Sequence, residues 1–230
     1  MDLNISNLWS VEIGGTTFWI TQTVLNTWII MGLLIVFAIV VRIKMSKFEE
    51  IPTTRFQNII EALIEIFDSF VRNAAGEKLL FLGNWYFMVF SFVLISNLSG
   101  IVGFRPPTAD WATTFALALA TFILIQAMGI KFRGLKYIKS FFEPFFIFFP
   151  LNLIGELARP ISLSFRLFGN ILAGMILMSL LYNMTPIYVR FVIPVAIHAY
   201  FDLFVGALQT YIFCILGLSF IRGAAATEDV

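Results

Sequence analysis

Residues 151–182 read LNLIGELARPISLSFRLFGNILAGMILMSLLY. About 20 apolar residues cross the hydrocarbon core of a bilayer, and this run is longer than a perpendicular crossing needs. A tilted membrane helix is therefore expected, though length alone sets no angle. Its polar residues are not scattered. Asn152, Glu156, Arg159, Arg166 and Asn170 follow one another at spacings of four, three, seven and four. At ~100° per residue they share a sector of about 90°, with Leu163 as its apolar member. One face is polar and the rest carry Leu, Ile, Phe and Met.

Arg166 is the costly member of that face. A guanidinium cannot shed its charge, because its pKa lies above about 12. At mid-membrane an arginine costs at least roughly 2.5–3.5 kcal/mol, so it needs a partner or a use. Arg159 can pair with Glu156 at i−3 or reach an interface. Arg166 has Ser162, Leu163, Gly169 and Asn170 at i±4 and i±3, with no acid among them. Its counter-charge must come from another helix or another chain.

The last apolar segment, 187–221, carries a second polar line. His198, Asp202 and Gln209 are spaced by four and seven, which places them within roughly 40° of one another on a helix. A histidine with an aspartate one turn away suits proton handling or ion coordination in a membrane. Gln209 is uncharged and could hold the Arg166 side chain by hydrogen bonds. Gly169, Ala173 and Gly174 permit close approach by a neighbouring helix or subunit.

The remainder of the chain fits the same solvent. Hydrophobic residues make up 60% of the 230, with 27 phenylalanines and only 13% charged residues. That charged fraction is about half the usual quarter of soluble proteins, so lipid is the natural surrounding. The net charge of +1 gives no sign of nucleic acid as a partner. Residues 23–41, 84–104 and 113–130 are further spans. Residues 52–77 differ in kind: Phe56, Ile59, Ile60, Leu63, Ile66, Phe67 and Phe70 alternate with Arg55, Asn58, Glu61, Glu65, Asp68 and Arg72. That pattern is an amphipathic helix on the membrane surface or on the bundle. Phe141 to Phe149 is an aromatic stretch of interfacial or re-entrant character. Arg42, Lys44 and Lys47 follow the first span, and Lys131, Arg133, Lys136 and Lys139 follow the third. Both loops put the same side in the cytoplasm, with residues 1–22 outside and a cytoplasmic tail at 222–230. The start, Met1-Asp2-Leu3-Asn4, has no basic region, so no cleavable signal peptide is expected. The single cysteine, Cys214, is expected to be a packing residue. The fold expected is an all-α integral membrane protein in a single domain. It has about five transmembrane helices, the last two long and tilted, plus the amphipathic helix.

The stretch Ala158-Arg159-Pro160-Ile161-Ser162-Leu163-Ser164-Phe165-Arg166-Leu167-Phe168-Gly169-Asn170 resembles the signature of subunit a of bacterial rotary F-type ATP synthases. Pro107-Thr108-Ala109-Asp110 and Leu208-Gln209-Thr210-Tyr211-Ile212-Phe213 fit the same family, and the resemblance runs from about Thr23 to Ile221. It implies a stator subunit in the plasma membrane beside a rotating ring of c subunits, with peripheral-stalk b subunits as further partners. Two half-channels would carry H+ or Na+ to and from a ring carboxylate. The family's essential arginine matches Arg166, its glutamine Gln209 and its asparagine Asn170. Asp202, His198, Glu156, Arg159 and Asn152 are the remaining candidates for the ion path. Neither a cofactor nor a resident metal is expected, and catalysis on ATP would fall to other subunits.

One position departs from the family. Many relatives carry an acid or a histidine nine residues after the arginine, where this chain has Met175. Acidic chemistry in the outer half-channel would then rest on Asp202 with His198. A self-contained transporter or channel is the competing reading, but the chain shows no paired repeats or matched broken helices of the transporter kind.

Overall fold

The computed structural model describes residues 7–13, 16–46, 48, 54–184 and 197–226. Two strands, β1 (Asn7–Ile13) and β2 (Thr16–Thr21), pair antiparallel as a hairpin ahead of the first helix. The sequence reading anticipated no strand in residues 1–22. Helix α1 (Gln22–Met45) starts at Thr21, whose hydroxyl caps Val24 N at 3.5 Å. It ends on Arg42 and Lys44, cations suited to the negative end of a helix dipole.

Helix α2 (Arg55–Ala75) is capped by Thr54, which accepts from Gln57 N at 3.3 Å. Part of its apolar stripe lies on the bundle: Ile60 and Val71 are buried, Phe67 meets Phe90, and Phe70 meets Tyr211, whereas Ile59, Leu63 and Ile66 are exposed. The helix therefore packs on the bundle along one side and leaves apolar side chains exposed along another. A 3-10 turn (Glu77–Leu82) leads into α3 (Gly83–Leu98), and a second one (Ser99–Val102) continues it. Gly103, at φ 83°, closes that end in a conformation that favours glycine.

Helix α4 (Trp111–Arg133) is capped by Asp110, which accepts from Ala112 N at 3.1 Å. Gly134, at φ 57°, reverses the chain into the short helix α5 (Leu135–Ser140), which the apolar pattern did not reveal. Phe142 and Phe149 stack 4.6 Å apart in the connection that follows. Helix α6 (Phe149–Met184) has 36 residues. At ~1.5 Å per residue it is about 54 Å long, well beyond a bilayer core of about 30 Å. In the described part of the last helix a π-helical stretch (Ala199–Val205) leads into α7 (Gly206–Ala225). The expected start of this span, 187–196, lies outside the described residues, as do residues 227–230 of the expected tail. The helix runs through Ala225, past the expected end at 221.

Five helices are long and apolar enough to cross a membrane: α1, α3 with its 3-10 flanks, α4, α6 with the turn before it, and the π-helical stretch with α7. The protein is an all-α membrane bundle with a small N-terminal hairpin. Helices α3, α4 and α7 enclose the core, where Tyr86, Val93, Ala118, Ile125, Leu218 and Ile221 are fully buried. Helix α6 packs along α4. Outward surfaces carry Ile35, Val36, Ile123 and Phe165, the inside-out polarity of a protein in lipid.

Candidate functional site

Helix α6 buries Leu163, Leu167, Ile171, Gly174 and Met178. At ~100° per residue, Arg166 is the member of the polar sector that points farthest from that face. It is exposed, and among the described residues its guanidinium has neither hydrogen bond nor ion pair. Asn170 and Gln209 are half-buried, and their amides are likewise without a hydrogen bond among the described residues. The bond expected between Gln209 and Arg166 is therefore not seen. Arg166 and Asn170 lie on α6 and Gln209 on α7.

Towards the N-terminal end of α6 the same face is internally satisfied. Arg159 Nη2 meets Glu156 Oε1 at 2.7 Å, the pairing expected from the i+3 spacing. Glu156 Oε2 accepts from Gln126 Nε2 of α4 at 3.2 Å, and Gln126 Oε1 accepts from the Tyr137 hydroxyl at 3.0 Å. Arg159 also lies 5.1 Å above the Phe220 ring, a cation–π contact. Burial and then the Glu156 carboxylate push the Tyr137 phenol above its ordinary range, against weaker lowering by Arg159, Gln126 and Arg133. Tyr137 is thus a hydrogen donor at any working pH. Asn152 spends its amide differently. It donates to the Phe141 and Glu143 carbonyls at 2.9 and 3.1 Å and so pins the loop ahead of α6. Its spacing gave no sign of that structural task.

At the opposite end, His198 Nδ1 and Asp202 Oδ2 lie 2.6 Å apart within one turn of the last helix. Both keep part of their surface open, 24% and 19% of the side chains. Asp202 sits inside the π-helical stretch, a distortion that recurs at functional sites. Its carboxylate rests against Gly100, where an added Cβ would lie 3.2 Å from Oδ2. Met175 is buried beside Ala109 and Ile171, so its position contributes packing.

The sequence reading missed the polar knot that holds this end. Asn97 Nδ2 donates to Gly206 O at 2.9 Å and to Thr210 Oγ1 at 3.2 Å, and Thr108 Oγ1 donates to Asn97 Oδ1 at 2.7 Å. An asparagine inside an apolar span was the available signal. Its partners lie too far along the chain for spacing to find them.

Fold and sequence together define an all-α protein with five helices long and apolar enough to cross a membrane, one of which carries an exposed arginine without an ion pair among the described residues. The ATP synthase A chain family matches residues 24–222, and the chain belongs to it. A subunit a of Propionigenium modestum, sodium ion specific, is 36% identical over 92% of this chain and 76% of that protein. A subunit a of Moorella thermoacetica is 37% identical over 88% of this chain and 89% of its own length. A subunit a of a Picosynechococcus strain is 35% identical, covering 91% and 88%.

Proposed function

We propose that this chain couples H+ or Na+ movement through two half-channels to rotation of a c-subunit ring, with Arg166 as the stator charge. The family supports a stator role in the membrane sector of ATP synthase. The observation that carries the finer reading is the Arg166 guanidinium, unpaired among the described residues and exposed midway along a 36-residue apolar helix. Charge at that depth demands a counter-charge, and a ring carboxylate supplies one that changes at every step. A unit charge about 4 Å away in an effective dielectric of ~20 is worth about 4 kcal/mol. That equals roughly three pKa units, enough to make an arriving carboxyl release its ion. The same charge repels a cation crossing directly between the half-channels, so ions must ride the ring. Each yields about 2.3 kcal/mol per 100 mV.

Asn170 and Gln209 are the open amides that would hold the guanidinium without neutralising it. His198 and Asp202 would serve the outer half-channel, and Glu156 and Arg159 the inner one. Asn152 lines the inner cavity while it fixes the loop. Basic residues after α1 and α4 put those ends in the cytoplasm, with the N-terminus outside the bacterial plasma membrane and the C-terminus inside. Peripheral-stalk b subunits would hold the chain against the ring's torque. Reconstitution tests the reading. The chain alone in vesicles should pass no ion, whereas the chain with its ring should. Flux through the chain alone would make it a self-contained transporter.

A further inference from the structure

The ends of α4 and α7, the start of α6, and α5 surround a cavity of about 560 Å³, lined in part by Arg133, Tyr137, Glu143, Glu156, Arg159 and Ser219. The Glu156 side chain keeps 14% of its surface open there. Its two oxygens have different partners, Arg159 at 2.7 Å on Oε1 and Gln126 at 3.2 Å on Oε2. A glutamine amide offers an acceptor on one side and donors on the other, and an ionised carboxylate only accepts. The chain of bonds therefore runs one way: Tyr137 O–H to Gln126 Oε1 at 3.0 Å, then Gln126 Nε2 to Glu156. Without the tyrosine hydroxyl, nothing in this chain of bonds keeps the Gln126 amide nitrogen turned towards Glu156.

The backbone is shaped to bring that hydroxyl in. Gly134 turns α5 back along the end of α4. The Tyr137 ring then lies over Gly129, where an added Cβ would stand 2.6 Å from Cζ and 2.8 Å from Cε1. Contacts that short do not occur, so only glycine at 129 admits the ring where it is. Tyr137 is 5% exposed.

We propose that Tyr137 and Gln126 are positioning residues of the ion path. They hold the Glu156 carboxylate towards the cavity, where it meets cations arriving from or leaving to the side on which α4 ends. The inference rests on the function proposed above. It adds that affinity at this mouth is set two bonds away from the carboxylate, by a tyrosine on a separate short helix.

The test uses assembled complexes in inverted vesicles. ATP-driven ion uptake is measured against the external ion, titrated as Na+ at fixed pH and as pH at fixed Na+. Tyr137→Phe and Gln126→Leu should each raise the half-saturating ion concentration by about 3- to 10-fold, the size of one ordinary hydrogen bond lost. Maximal rate should stay within about twofold, a KM-type effect that a loosened fold does not give. The double variant should be no worse than Gln126→Leu, because Tyr137 acts through Gln126. Gly129→Ala, which displaces the ring, should shift half-saturation the same way. Unshifted half-saturation with a lowered maximal rate, or additive shifts in the double variant, overturns the inference alone. No ATP-driven uptake by the unsubstituted complex overturns the proposed function, and this inference with it.

Discussion

Replacing Asn97 with leucine keeps most of the side-chain volume and removes the amide that ties three segments together. The side chain is 1% exposed, and it joins α3 to the Pro107–Ala109 turn and to the start of α7. Three hydrogen bonds are lost. In membrane proteins such bonds average about 0.6 kcal/mol each, so together they account for roughly 2 kcal/mol. Gly206 O stays satisfied, because Thr210 Oγ1 still donates to it at 2.9 Å. Thr108 does not, since its fully buried hydroxyl loses its acceptor. An orphaned buried hydroxyl adds about 1–3 kcal/mol. The expected total is about 3–5 kcal/mol. Adding Thr108→Val removes the orphan, so the double variant should be less damaged than the two single costs combined, by about 1–2 kcal/mol. Denaturant titration of the chain reconstituted in bicelles measures all four corners of this cycle. Strictly additive costs, or an Asn97→Leu variant within about 0.5 kcal/mol of the parent, would refute the reasoning.

Arg166→Lys should lose coupled synthesis almost completely, because an ammonium lacks the guanidinium's planar fork and can give up its proton; near-normal synthesis would show that charge alone suffices. Asp202→Asn should slow synthesis driven from the outer side, and unchanged rates would reassign the residue to packing against Gly100. Gly217→Ala should destabilise the bundle by about 1–3 kcal/mol through overpacking, since its Cβ would lie 2.6 Å from the Tyr86 hydroxyl. Tyr86→Phe should recover part of that loss in thermal stability measurements.

Much of the fold is legible because lipid simplifies the code. An apolar run of sufficient length must be a helix, since no other open structure satisfies its backbone in hydrocarbon. Expected span 151–182 and observed Phe149–Met184 therefore differ only at frayed ends. The N-terminal hairpin and helix α5 are too short to carry such a signal. Within the site, Glu156–Arg159 and His198–Asp202 are readable because their partners lie one turn away on the same helix. The Asn97 knot and the Tyr137–Gln126–Glu156 chain are not, because each joins separate segments. Asn152 shows the converse. It shares the stripe's periodicity, yet it bonds to carbonyls of the loop before its own helix, and periodicity cannot tell a functional polar group from a local cap.

Arg166, exposed and unpaired among the described residues, carries the whole account, and one assay addresses it directly. Assembled complexes bearing Arg166→Ala are placed in vesicles with an imposed ion gradient, and ATP formation is followed against the unsubstituted complex. Complete loss of synthesis with the subunit still incorporated is the expected result. Coupled synthesis surviving without the guanidinium would contradict the claim that this side chain meets each ring carboxylate in turn.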